Sequence, residues 1–223
     1  FKSLYYCCLA ITNIQFFIEK LLFLPHYFGV GNFSNLRMNK KFEFFLNAVH
    51  YCIYLGEIWS MKKVDNCVLR IMYYLSVLFS FENFYNKKVD ERTKCKDLWY
   101  YMYGKEGGIS ISSAHHWFGF FYSGYSIFLS FVLLGIPDGM FGGVNEIIAI
   151  AIIALPVGLC YIPAYKAVLS NDRYLKYFKQ FEKEDAKWHK KWKQITWGFC
   201  IGSVVFTIGG IFAMWGVSLL FRK

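Results

Sequence analysis

The chain has 223 residues, 56% of them hydrophobic and 18% charged, with a formal net charge of +10. A soluble domain carries about a quarter charged residues, and here the apolar residues gather in long charge-free runs, which argues against an ordinary soluble fold. In a soluble protein the basic excess would suggest nucleic acid. Here the basic residues lie between hydrophobic runs, where membrane topology accounts for them and nucleic acid is not an expected partner.

The aromatic content of 22% has a plain explanation in an AT-rich genome, which favours Phe, Tyr, Ile, Asn and Lys, and is given no functional weight by itself. Seven cysteines at 7, 8, 52, 67, 95, 160 and 200 show no ligand spacing. Most sit in apolar segments, where Cys acts as a small hydrophobe. No disulfide framework is expected from an odd, unpatterned set.

Taken along the chain, residues 4–24 form the first apolar segment, interrupted by Glu19 and Lys20. "MNKKFEFFLN" from Met38 has the pattern of a bacterial start: Met, two lysines, then an apolar run. The second segment, 42–59, carries Glu43, Asn47, His50, Tyr54 and Glu57 at steps of four, three, four and three. That spacing places all five on one face of a helix. A third apolar segment, 67–85, contains Arg70 and Glu82. With a turn expected over 60–66, Glu57 and Arg70 would meet across a hairpin. Charged groups in hydrocarbon cost at least ~2.5 kcal/mol and turn toward protein or water. The stripe is therefore expected to serve as an interhelical network or to line a polar pathway. In the pathway reading, His50 would exchange protons near neutral pH. Alternatively, 42–59 lies in the membrane interface.

"SISSAHHWFGFF" places Ser110, Ser112, Ser113, His115 and His116 at the mouth of the next apolar run. Adjacent helical residues point about 100° apart, so the two histidines would not chelate one ion from a regular helix. Helix-end and interface chemistry is the expectation, with Trp117 in an aromatic belt.

Three runs are strong membrane spans: 117–135, 147–165 and 195–221. Roughly 20 residues at 1.5 Å each cross a ~30 Å hydrocarbon layer. The link "IPDGMFGGVN", 136–145, has no Lys or Arg and suits a tight reversal. Pro156 is expected to bend the fifth segment. Gly198, Gly202, Gly209, Gly210 and Gly216 would let the last span approach a neighbour closely, within the chain or in a homo-oligomer.

Between the last two spans, Tyr174, Phe178, Phe181, Asp185, Trp188, Trp192 and Ile195 recur at steps of four and three. Lysines occupy the other faces. One basic amphipathic helix is expected over about 171–194 on the inside surface. Lys176, Lys179, Lys183, Lys187, Trp188 and Trp192 would contact anionic headgroups or a membrane-protein partner.

The fold expected is all-α: a polytopic membrane bundle of about six spans, with four to six admitted, divided into 1–114 and 115–223. Counted this way, the inside loops 29–41, 86–114 and 166–194 hold 18 Lys and Arg against 5 outside. That bias orients the bundle by the positive-inside rule. A bacterial inner membrane is favoured, with an organelle as the alternative. No nucleotide-loop, zincin, nucleophile-elbow or dinucleotide motif is present. No catalytic, cofactor or metal residues are assigned, and the reading leans away from an enzyme. Three functions remain, in this order: a channel or transporter-like component using the polar faces of the first three helices; a non-catalytic accessory or assembly subunit of a membrane complex; and, ranked third, a membrane enzyme acting on lipid through the His115 and His116 region.

Overall fold

The computed structural model describes residues 39–78, 102–105 and 108–222. The expected span over 4–24 lies outside them. Five α-helices follow in chain order: α1 (Lys40–Leu78), α2 (Ile109–Phe141), α3 (Glu146–Val168), α4 (Arg173–Phe181) and α5 (Ala186–Phe221). No strand occurs among the described residues. Among the described residues, three helices are long and apolar enough to cross a membrane: Ile109–Phe141, Glu146–Phe181 and Ala186–Phe221. The described residues thus define an all-helical arrangement with three helices of membrane-spanning length and polarity.

α2 and α5 run parallel along a seam of small residues. A Cβ on Gly135 would stand 2.6 Å from the Met214 carbonyl oxygen, and one on Gly210 would stand 3.0 Å from the Phe128 Cα. Gly124 faces Ser203 and Gly139 faces Ser218 with the same sequence offset as Gly135 and Met214. A constant offset over that length means the two backbones stay in close contact without drifting apart. Thr207 Oγ1 donates to Ser203 O at 2.9 Å and Tyr125 Oη to Phe199 O at 2.7 Å, so these two hydroxyls of the seam are satisfied by backbone carbonyls.

α3 returns antiparallel against α2. The reversal is shorter than expected: 136–141, including Pro137, Asp138 and Gly139, remain helical. The turn is confined to 142–145. Gly142 has φ 69° and Gly143 φ 151°, backbone conformations open to glycine because it lacks a Cβ. Asn145 caps α3 by accepting from Ile147 N–H at 2.9 Å. α3 runs through Pro156 and Pro163 as one helix. In the turn before Pro156, the Ile153 carbonyl accepts from Ser130 Oγ at 3.1 Å.

Two expectations are corrected. The first concerns 60–66, which is helical, so 42–59 and 67–78 are two parts of α1. Nothing in that stretch stops a helix: it contains no Pro or Gly, and Met61, Lys62 and Lys63 are good helix formers. Residues 79–85 of the expected third span lie outside the described residues. The second concerns 171–194, which is two helices. A 3-10 turn at Ser170–Asp172 precedes α4, and Asn171 and Asp172 both have positive φ, tolerated best by these short polar side chains. α4 ends at Phe181. Asp185, the polar exception in the aromatic stripe, then caps α5, accepting from Trp188 N–H at 2.7 Å.

Candidate functional site: the junction of α1 with the bundle

The polar stripe of α1 turns inward. Asn47 and His50 are 0% exposed and Tyr54 is 2% exposed. Each reaches a different element. The Asn47 amide donates to Ala167 O at 3.0 Å and to Glu43 O at 2.8 Å. Ala167 lies in the last turn of α3, where carbonyls lack intrahelical partners. Asn47 thus ties α1 to the end of α3. The Tyr54 hydroxyl donates to Tyr103 O at 2.8 Å, and the Tyr103 hydroxyl donates to Asp65 at 2.7 Å. Segment 102–105 is therefore clasped along α1 from both sides.

At the centre, His50 Nε2 lies 2.9 Å from His115 Nδ1 of α2. The rings stack at 4.8 Å and 15°. Phe118, Tyr174 and Phe178 enclose the His50 ring at 5.3, 5.7 and 5.4 Å. Among the described residues His50 Nδ1 has no hydrogen-bond partner. A proton on Nδ1 would leave a buried donor unsatisfied, so the tautomer with the proton on Nε2, donating to His115, fits this surround. Burial first, and the His115 imidazole second, hold His50 well below its ordinary pKa. It is neutral at pH 7.

The two ends of the stripe are different. Glu43 faces Arg173 of α4 at 3.7 Å. Glu57 accepts from Ser113 Oγ of α2 at 3.0 Å. The expected Glu57–Arg70 pair does not form, because both residues lie on one unbroken helix. They are separated by thirteen residues, about 20 Å at the α-helical rise. Arg70 is exposed and away from the junction.

The aromatic stripe that follows α3 packs on this same face of α1. Tyr174, Phe178 and Phe181 are buried. Phe44 meets Phe181 at 5.2 Å and Trp192 at 5.7 Å. Tyr51 meets Phe178 at 4.9 Å, while Trp188 stacks on Phe181 at 4.8 Å. Trp188 and Trp192 are half-buried within the chain, whereas Lys176, Lys179, Lys183 and Lys187 are exposed. The aromatic face is thus taken up by α1 and the lysine faces remain outside.

His115 is the member that sequence reasoning placed elsewhere. It lies 65 positions from His50 in the chain, among Ser112, Ser113 and His116. Its only sequence signal was an imidazole at the mouth of an apolar run. Among the described residues, no three His, Cys, Asp or Glu side chains converge as metal ligands. The junction is a buried set of hydrogen bonds and ring contacts in which Asn47 Oδ1 and His50 Nδ1 have no hydrogen-bond partner among the described residues, able to lock α1 and to share one proton between two imidazoles.

Comparison with known protein families, curated proteins and solved structures finds no match to this chain.

Proposed function

We propose that this chain is a non-catalytic accessory or assembly component of a membrane protein complex, with α1 as its partner-facing element. The observation that carries this reading is the state of the polar stripe. Asn47, His50 and Tyr54, which a conduit would present to water, are closed over by α2, α3, α4 and segment 102–105.

The path of α1 supports the same reading. His50 meets His115, Glu57 meets Ser113, and Met61 meets Ser110. Over those eleven steps α1 advances ~16 Å while its contact on α2 retreats by five residues, ~8 Å. α1 therefore crosses the bundle end obliquely, and its second half leaves the bundle. There Val68, Ile71, Met72, Tyr74, Leu75 and Val77 are exposed, an apolar surface of the kind that marks interaction sites.

The basic end of the bundle, containing α4 and the start of α5, faces the cytoplasmic or equivalent inside compartment in this reading. The Lys/Arg-free turn at 142–145 faces outside. Anionic headgroups are the lipid partner of the 166–194 region. A bacterial inner membrane is the setting we favour.

A photoreactive residue at Ile71, introduced into the full chain in its native membrane, tests the partner role. The expected outcome is a cross-link to one other polypeptide, abolished when Ile71 and Leu75 are both changed to Ser. Cross-links to lipid or to this chain alone would remove the reading.

Proton transfer is the second reading, favoured by the 2.9 Å contact between His50 and His115. Reconstituted vesicles would then show proton flux that is lost in His50→Phe. Equal flux with and without the protein would eliminate it.

A further inference from the structure

α5 divides sharply into two faces. Trp188, Trp192, Thr196, Phe199, Ser203, Gly210 and Met214 turn toward the protein. On the opposite face Lys190, Lys193, Trp197, Ile201 and Ile208 are all exposed. Trp197 is 62% exposed and Trp215 is 39% exposed on the same side.

Those two tryptophans are eighteen residues apart, ~27 Å along a straight helix, close to the ~30 Å of a hydrocarbon layer. The parallel seam supplies an independent check of depth. Extending the Gly124–Ser203 register back by two turns puts Trp117 level with Thr196, beside Trp197. Trp117 is also exposed, at 44%. Tryptophans gather at the boundary between hydrocarbon and headgroups. Two independent helices thus mark one boundary at the same height.

From that boundary Lys193 and Lys190 stand roughly 6 and 10 Å toward the basic end. This is headgroup depth, and α5 is an unbroken helix through it. Two nearby acids are engaged elsewhere: Glu182 pairs with Lys105, and Asp185 caps α5. Lys187 flanks the same surface.

We propose that Lys190, Lys193 and Trp197, with Lys187 beside them, form a binding surface for the phosphate-bearing headgroup of an anionic phospholipid. The ammonium groups take the phosphate, the Trp197 indole lies at the glycerol level, and Ile201 and Ile208 line the acyl chain. This deepens the proposed headgroup contact and rests on the same membrane reading. It moves the contact from the α4 stripe to the outer face of α5. The aromatic side chains that an amphipathic helix would insert are already packed on α1.

The test uses the full chain reconstituted in vesicles of mixed phosphatidylcholine and phosphatidylglycerol, with spin-labelled forms of each lipid. The protein-contacting fraction should favour phosphatidylglycerol about fivefold at low salt, the scale set by basic residues near a headgroup. Lys190→Gln with Lys193→Gln should bring the preference close to unity. Trp197→Ala should weaken retention of both lipids while leaving the preference. Lys176→Gln with Lys179→Gln, on α4, should change neither. Equal preference in the wild type and the α5 double variant would overturn the site. Displacement of the labelled lipid by millimolar inorganic phosphate would assign it to a free anion instead, also overturning it. Recovery of the chain from vesicles by alkaline wash would refute the membrane reading itself, an outcome separate from loss of lipid preference in a protein that stays integrated.

Discussion

The α1 junction and the α2–α5 seam achieve close packing by opposite means. At the junction, large rings interlock around Asn47, His50 and Tyr54, and polar atoms from one helix satisfy ends and loops of others. At the seam, Gly124, Gly135, Gly139 and Gly210 remove side chains so that backbones touch. The difference follows from the surroundings. Lipid tails are as apolar as the side chains they would replace, so inside hydrocarbon association gains from tight contact rather than from burial. In the headgroup layer, where the membrane frame proposed above puts the junction, water is at hand. Burying each aromatic side chain there contributes ~1.5–3 kcal/mol.

This contrast can be broken most severely at the seam. Gly135→Leu should cost more than ~3 kcal/mol, because the side chain would meet Met214 backbone rather than a movable group. Thermal unfolding in mild detergent measures it, and an unchanged midpoint would contradict the packing described. At the junction, His50→Ala opens a void among four rings and orphans His115. A loss of about 2 kcal/mol or more is expected by the same measurement. The distinguishing sign is protease sensitivity in α1 while the spans remain intact.

Smaller and more specific is the response to acid. His50 binds its proton less readily in the folded state than at its ordinary value of 6.5. The unfolded chain therefore takes up more protons as pH falls, so the stabilisation is complete above about pH 6.5 and declines below it. Hydrogen exchange in α1 should accelerate between pH 7 and 5 in the wild type and respond less in His50→Phe. An identical pH response in both would mean that other groups carry it. The smallest effect belongs to Glu57→Gln, whose amide oxygen can still accept from Ser113. A change below ~1 kcal/mol is expected, as for a partly exposed hydrogen bond. A much larger loss would show that the charge at Glu57 does something the Ser113 contact does not express.

Particular residues show how much was legible beforehand. The runs 117–135, 147–165 and 195–221 announced themselves because a span needs only length and apolarity, both properties of consecutive residues. The steps of four and three from Glu43 to Glu57 correctly marked one helical face, and those from Tyr174 to Phe181 marked another. That these two faces meet each other was not legible. Each stripe separately looked ready for a different neighbour, water or lipid. The break at 182–185 was hidden because Asp185 keeps the period while changing its role from stripe member to cap. The hairpin expected between Glu57 and Arg70 failed because charge at 62, 63 and 65 ended the apolar run without ending the helix.

By itself the sequence determined that the described part of this chain is helical, where its long apolar runs lie, and which side of each helix differs from the rest. Those properties follow from rise, period and hydrophobicity, all set by neighbours along the chain. Only the tertiary structure decided that His50 meets His115, that Asn47 closes the end of α3, and that the aromatic stripe covers α1 and leaves Trp197 outside. These pairings depend on which faces are brought together across dozens of residues, and local periodicity holds no record of a partner.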